Sequence, residues 1–296
     1  VQKISKSSLL EWCSVPAAEL ENHPDRRVPF RMVEDSNAMG RIMAREFVDS
    51  VAAAQQAGRM YRVILPCGPT AWMAPFAQMV NSGRVNLHNL EVFHMDECLD
   101  WQGQEVPSNH PYNFRGTMER DFYGAIDSDL RPPIEQRHWL NPDTLLHISA
   151  ALIAEPADLA YGGWGQDGHV AYNQARRNAF SEISVDDLKN SVARIQDNNV
   201  DTIIALSQRT LGGAYQFVPP MSVTLGMREI LAARKIRLFS DTGAWKQTAL
   251  RVALFSDQTP EYPVTLLQDH PDALLTATVA TAEHVISLNP AWDLSQ

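Results

Sequence analysis

The sequence predicts an α/β protein: a three-layer α/β/α sandwich built on an open, mostly parallel sheet of Rossmann-like type. Three observations carry this. Short apolar runs of strand length recur along the chain, and each stops at a turn marked by Gly, Pro or Asp. Each turn leads into residues of helical period. The chain is long enough, at 296 residues with 45% hydrophobic and 20% charged content, to cover both faces of such a sheet. Alternating strands and helices make a parallel sheet with helices on both sides. Ligands then bind beyond the carboxyl ends of the strands.

Taken in order, residues 1–29, with a polar stretch at 21–27, read as an N-terminal extension. Residues 30–296 read as a single domain, since no internal repeat or low-complexity linker divides them and the prolines are scattered. From Ser36 the residues Met39, Ile42, Met43, Phe47, Val48 and Val51 recur at three- and four-residue spacing, which predicts a helix capped by Ser36 and followed by Gly58. Residues 61–65 read as a strand halted by Pro66 and Gly68, and 70–80 resume a helical pattern. The same unit recurs at 90–95, followed by Asp96 and Glu97, and at 158–161, followed by a glycine-rich turn. It appears again at 236–239, followed by residues 241–243 and a helix.

The bulk numbers exclude several classes of function. A net charge of −10 opposes a sequence-independent grip on nucleic acid, which needs a surplus of Lys and Arg on one face. Cys13, Cys67 and Cys98 are widely spaced and form no CxxC or Cys/His cluster, so neither a disulfide framework nor a zinc site is expected, and a reducing cytoplasm fits best. No apolar run approaches the ~18 residues of a membrane span. The nearest, at 145–154, is interrupted by His147 and Ser149, and residues 1–20 lack a signal-peptide pattern. A homo-oligomer is left open.

Four motifs stand at predicted strand ends. Leu65-Pro66-Cys67-Gly68-Pro69-Thr70 is a strand-to-helix turn whose amides and hydroxyl suit an anion at a helix start, although Gly and Pro mark plain turns as well. Phe93-His94-Met95-Asp96-Glu97 sends two acids out of a strand; in extended chain they point to opposite sides, so one can face a pocket while the other caps or pairs elsewhere. GGWGQDGHVAYNQ at 162–174 puts four glycines in seven residues and delivers Asp167 and His169 on one loop. A carboxylate beside a histidine orients the ring for proton transfer. Asp241-Thr242-Gly243-Ala244-Trp245-Lys246 brings a Lys into the first turn of a helix, where a cation is misplaced unless an anion sits beside it.

With these motifs in this order, the chain resembles the glucosamine-6-phosphate deaminase family, whose α/β/α fold is shared with 6-phosphogluconolactonases. The resemblance runs over about 30–283. Residues 162–173 resemble the family's GGxGxDGHIAFNEP loop and 93–97 its FNMDE motif. Residues 110–123 resemble its HPxSY segment and following helix, and 218–226 its VPxxALTVGVGT strand and turn. The resemblance implies that Asp96 carries a proton between C2 and C1 of an opened sugar, and that His169 opens the ring with Asp167 as its orienting partner. It implies that Thr70 and Lys246 hold a 6-phosphate together with Arg209, and that Gly68, Glu97 and Gly163 contribute to substrate binding. A small-molecule sugar phosphate is the implied partner, and no metal or organic cofactor is required.

Two departures bear on catalysis. The family's Glu after the loop Asn is Gln174 here, a catalytic position that can hydrogen-bond an imidazole but supplies no charge, and Ala175 follows it in place of Pro. Pro69 replaces a Gly and removes one N–H donor. The residues that form an effector site in some deaminases are not recognisable at Arg176, Arg177, Asn178 and Ala179. The expected function is thus a phosphosugar deaminase/isomerase that turns a hexosamine 6-phosphate into a ketose 6-phosphate plus ammonia. The competing readings are a 6-phosphogluconolactonase-like hydrolase and a sugar-phosphate sensor with impaired catalysis.

Overall fold

The computed structural model describes residues 4–174, 180 and 182–294; Ala175 and the Arg176 to Ala179 stretch weighed above lie outside the described residues. Among the described residues the strands are β1 (Phe30–Val33), β2 (Tyr61–Leu65), β3 (Leu90–His94), β4 (Asp96–Leu99), β5 (Arg137–His138), β6 (Leu159–Gly162), β7 (Arg194–Asp197), β8 (Met221–Thr224), β9 (Ile236–Ser240) and β10 (Ala273–Thr278). The helices are α1 (Lys6–Ser14), α2 (Ser36–Gln56), α3 (Met73–Gly83), α4 (Phe114–Thr117), α5 (Leu145–Ala154), α6 (Val185–Lys189), α7 (Val200–Thr210), α8 (Met227–Leu231), α9 (Gln247–Phe255), α10 (Val279–Ala282) and α11 (Val285–Leu288). Seven strands form one sheet in the order β1-β10-β9-β6-β2-β3-β5, and every pairing in it is parallel. The expected α/β/α architecture is the one observed.

Period-two alternation sorts the strand residues between the two faces. Val63 and Leu65 of β2, Leu90 and Val92 of β3, and Leu159 and Tyr161 of β6 pack on one face with Met39, Met43 and Phe47 of α2 and with Phe76 and Val80 of α3. Ile64, Phe93, Ala160 and Leu238 face the other way, toward Ile148 and Leu152 of α5, Ile230 of α8 and Leu250 and Leu254 of α9. Phe47 is fully buried and stacks on Phe76 with ring centroids 4.7 Å apart. Burial of such a side chain contributes roughly 1.5–3 kcal/mol. The N-terminal residues Leu20 and Val28 join the second cluster, and α1 packs on α9 and α11.

Two local expectations are corrected. The cap of α2 is Asp35, whose carboxylate accepts the Ala38 amide at 2.7 Å; Ser36 is the first helical residue, and its hydroxyl donates instead to Asp241 at 2.9 Å. The helix expected from residue 70 begins at Met73, because residues 66–70 form an extended turn that closes with the Met73 amide on the Thr70 carbonyl. Gly40 lets α2 lie directly on this turn: a Cβ there would stand 2.2 Å from the Ala71 carbonyl oxygen.

A second, three-stranded sheet in the order β4-β8-β7 is antiparallel. One residue separates it from the main sheet. The Met95 amide donates to Leu65 of β2, and the Met95 carbonyl accepts from Leu225 at the end of β8. Asp96, the first residue of β4, is therefore held at the seam between the two sheets. No helix among the described residues is long and apolar enough to cross a membrane.

Candidate active site

The loops that follow β2, β3, β6 and β9 meet at the carboxyl edge of the sheet around a cavity of about 300 Å³. These four strands include neighbours in the order β9-β6-β2-β3. At ~4.8 Å per strand they spread their loops over about 14 Å, enough for a sugar phosphate. Asp96, His169, Gly163, Gly68, Thr70, Arg209 and Lys246 all line the cavity. Asp167 lies behind His169. Glu97 and Gln174 do not line it.

The glycine-rich loop is shaped around the imidazole. A Cβ on Gly165 would stand 2.1 Å from the His169 ring, so no larger residue leaves room for it. The Gly165 amide donates to the His169 carbonyl, and the Gly168 carbonyl accepts the Val264 amide at 2.7 Å. Asp167, 1% exposed, accepts both the ring Nδ1–H of His169 at 2.6 Å and its backbone N–H at 3.2 Å. These bonds fix the ring orientation, and the Tyr172 ring lies nearly parallel to it at 6.1 Å.

Asp96, the residue to which the resemblance assigns the other proton transfer, lines the cavity. Burial, and secondarily the charge of Glu97, push its carboxyl up to about 8. Glu97, on the opposite face of β4, is pushed up to about 7 by burial even though the amides of Phe114, Arg115 and Cys98 donate to it. Lys246 closes a tight turn (Ala244–Lys246) and caps α9, so its ammonium stands at the positive end of that helix. Burial and then the neighbouring Arg209 charge push it down to about 8. Among the described residues no carboxylate forms an ion pair with it.

Gln174 is buried, but its amide bridges the start of α7: Nε2 donates to the Asp197 carbonyl at 3.0 Å and Oε1 accepts the Asn199 amide at 2.7 Å. No hydrogen bond joins it to His169. Sequence reasoning also passed over Thr202, Leu206 and Thr210, which line the cavity from α7. Their four-residue spacing on one helix face was the available signal. The aromatic lining of Phe114, Trp164, Tyr172 and Trp245 went unread as well.

No cluster of three His, Cys, Asp or Glu among the described residues could hold a metal ion. No protein-family model matches the chain. It is 28% identical over 260 residues to the glucosamine-6-phosphate deaminase of Aliivibrio fischeri, covering 84% of this chain and 89% of that one. To the glucosamine-6-phosphate deaminase of Caenorhabditis elegans it is 27% identical over 246 residues, covering 80% and 84%. Among solved structures, a monomeric glucosamine-6-phosphate deaminase superposes with a TM-score of 0.72 at 17% identity, covering 86% of this chain and 98% of that one. The 6-phosphogluconolactonase of Trypanosoma cruzi superposes with a TM-score of 0.60 at 17% identity, covering 89% and 99%. Over four-fifths of its length this chain is thus similar in sequence to glucosamine-6-phosphate deaminases, and it shares its fold with both these enzymes and the 6-phosphogluconolactonases.

Proposed function

We propose that the protein converts a hexosamine 6-phosphate into the ketose 6-phosphate and ammonia. The observation that carries this reading is that one cavity is lined by Asp96 and by His169, whose ring Asp167 holds, and also by Thr70, Arg209 and Lys246. The phosphate takes the Thr70 turn and the two cations, where its charge offsets the misplaced Lys246. His169, oriented through Nδ1 by Asp167, uses Nε2 to carry the proton exchanged between the anomeric hydroxyl and the ring oxygen as the pyranose opens. Asp96 then removes the C2 proton from the open aldehyde. The resulting enolamine takes that proton back at C1, and water hydrolyses the C2 imine to the ketone with release of ammonia.

A carboxyl held near 8 suits this work, because it binds a proton from carbon more readily than an ordinary carboxylate and can still return it. A lactone hydrolase would need the histidine alone, and would leave Asp96 on the cavity wall without a task. The three free thiols, Cys13, Cys67 and Cys98, suit the reducing cytoplasm. The test is a coupled assay for ammonia and ketose phosphate across hexosamine and hexose 6-phosphates. One ammonia per ketose phosphate from an amino sugar is expected. Turnover of 6-phosphogluconolactone alone would overturn the reading, as would binding without turnover of any amino sugar.

A further inference from the structure

Glu97 has no part in the chemistry above, yet its carboxylate is fully engaged. It is 3% exposed. One oxygen accepts the amides of Cys98 at 2.9 Å and Phe114 at 2.8 Å, and the other accepts Arg115 at 2.7 Å. The space beside it, between His94, Glu105 and Arg115, is about 10 Å³. That is room for one water and too small for a sugar hydroxyl and its carbon. A direct substrate contact is therefore excluded by shape.

What Glu97 does hold is α4. Two of the leading amides of that helix go to Glu97, and a third, from Gly116, goes to the Asn113 side chain at 2.5 Å. Asn113 in turn donates to the Val106 carbonyl at 2.6 Å. The helix so fixed presents Phe114 and Thr117 to the sugar cavity. Asp96 and Glu97 are adjacent on one strand and point to opposite faces. A buried carboxylate with no ion-pair partner among the described residues is an expensive way to hold two amides, since a neutral acceptor would do it with a smaller desolvation cost.

We propose that Glu97 is a positioning residue for the Asp96 base: it clamps α4 to β4, setting the cavity wall, and it places a second negative charge directly behind Asp96. The role rests on the reading of Asp96 as the proton carrier. Of the other groups facing the pair, Glu105 adds a negative charge that also raises Glu97, and the rest supply little. His94 is driven well below its usual value by burial and stays neutral. Burial raises the Cys67 and Cys98 thiols and the Tyr172 hydroxyl, so these stay protonated. Glu105 stands on the far side of the small cavity, and Arg115 is exposed, its guanidinium stacked on Trp139 at 5.3 Å.

The test pairs Glu97→Gln and Glu97→Asp with carbon-13 carboxyl NMR titration of Asp96, assigned with Asp96→Asn, and with kcat/KM measured against pH. In Glu97→Gln the Asp96 midpoint and the acid limb of kcat/KM should both move down by roughly one pH unit. Glu97→Asp keeps the charge but is too short to reach both α4 amides. Its Asp96 midpoint should stay high while kcat/KM falls about tenfold through a displaced wall. An Asp96 midpoint equal in wild type and Glu97→Gln overturns the proposal, as does a Glu97→Asp enzyme of wild-type kcat/KM. The NMR arm needs no turnover. Absence of activity on every amino-sugar phosphate would therefore remove the deaminase reading, while the titration still decides the role of Glu97. If Glu97→Gln does not fold, the Glu97→Asp arm decides alone.

Discussion

Replacing Asp96 with asparagine removes a carboxyl that the fold holds at about 8, against 3.8 for an ordinary aspartate. That gap of about four units, at about 1.4 kcal/mol each, sets a ceiling of about 6 kcal/mol on what the ionised group costs the folded state. Asp96 is partly exposed on the cavity wall and shares its ionisation with Glu97, so solvent screening reduces the figure to about 2–3 kcal/mol. The sign follows from the raised value. Below pH 4 both folded and unfolded chains hold the proton, and the group's contribution is fully present. As the pH climbs to 8 only the folded chain must keep the proton or bury the charge, and that contribution is lost. Asparagine stays neutral throughout. Urea unfolding at pH 5 and at pH 8.5, followed by tryptophan fluorescence, should show the variant gaining about 1 kcal/mol on wild type between the two conditions, the rest of the difference having developed below pH 5. Turnover in the same variant should fall by about 10²–10⁴-fold. If the stability difference between the two proteins is the same at both pH values, Asp96 is an ordinary carboxyl, and the argument from its burial to its role as base collapses.

Gly165→Ala should leave far-UV circular dichroism unchanged but lower turnover at least about 100-fold, because the added methyl occupies the place of the His169 ring and breaks its bond to Asp167. Lys246→Ala should weaken a sugar 6-phosphate about 10–100-fold and leave the unphosphorylated sugar nearly unaffected, as read by calorimetry. In the wild type the same affinity should fall as pH rises above 8, where the depressed lysine loses its proton, and that fall should be absent from Lys246→Ala. Gln174→Glu should cost about 1–3 kcal/mol in urea unfolding, since a carboxylate cannot donate to the Asp197 carbonyl, with turnover changed only a few-fold. A large gain in turnover there would mean that the side chain reaches His169.

The elements legible in the sequence were those whose signal is local. The β2 boundaries, Tyr61 and Leu65, coincide with the expected ones because an apolar run stops at Pro66, which cannot donate to a ladder. The Asp167–His169 pair was legible for the same reason: both residues sit on one loop, and their bond needs only that loop's geometry. The β4-β8-β7 sheet was not foreseen. Arg194, Gln196 and Asp197 make β7 look like loop, and only pairing with β8 across a long sequence gap makes it a strand. Gln174 was misplaced on the same account. Its neighbours on the chain are loop residues near His169, but its partners, Asp197 and Asn199, lie more than twenty positions away. The Asp35 cap was missed by one residue, because Asp and Ser are both good caps and the choice between them turned on Ser36 having a tertiary partner in Asp241.

The two strongest perturbations in the cavity share one logic. Asp96 is held above its ordinary value and Lys246 below, each displaced toward its neutral form chiefly by burial. A free protein gains nothing from burying a carboxyl and an ammonium apart when pairing them would relieve both. The fold forbids that pairing: Asp96 follows β3 and Lys246 follows β9, and β6 and β2 lie between those strands. A molecule that spans the interval with an anion at one end and an ammonium at the other supplies both missing partners at once. A hexosamine 6-phosphate has that polarity, with its phosphate on C6 and its amine on C2. In the proposed reaction the charge that Asp96 loses on taking up the C2 proton is restored when that proton passes to C1, before water releases the amine as ammonia. On the proposed reaction, the substrate would be bound by its two charges and would lose only the ammonium, so the ketose product would keep the phosphate contact alone.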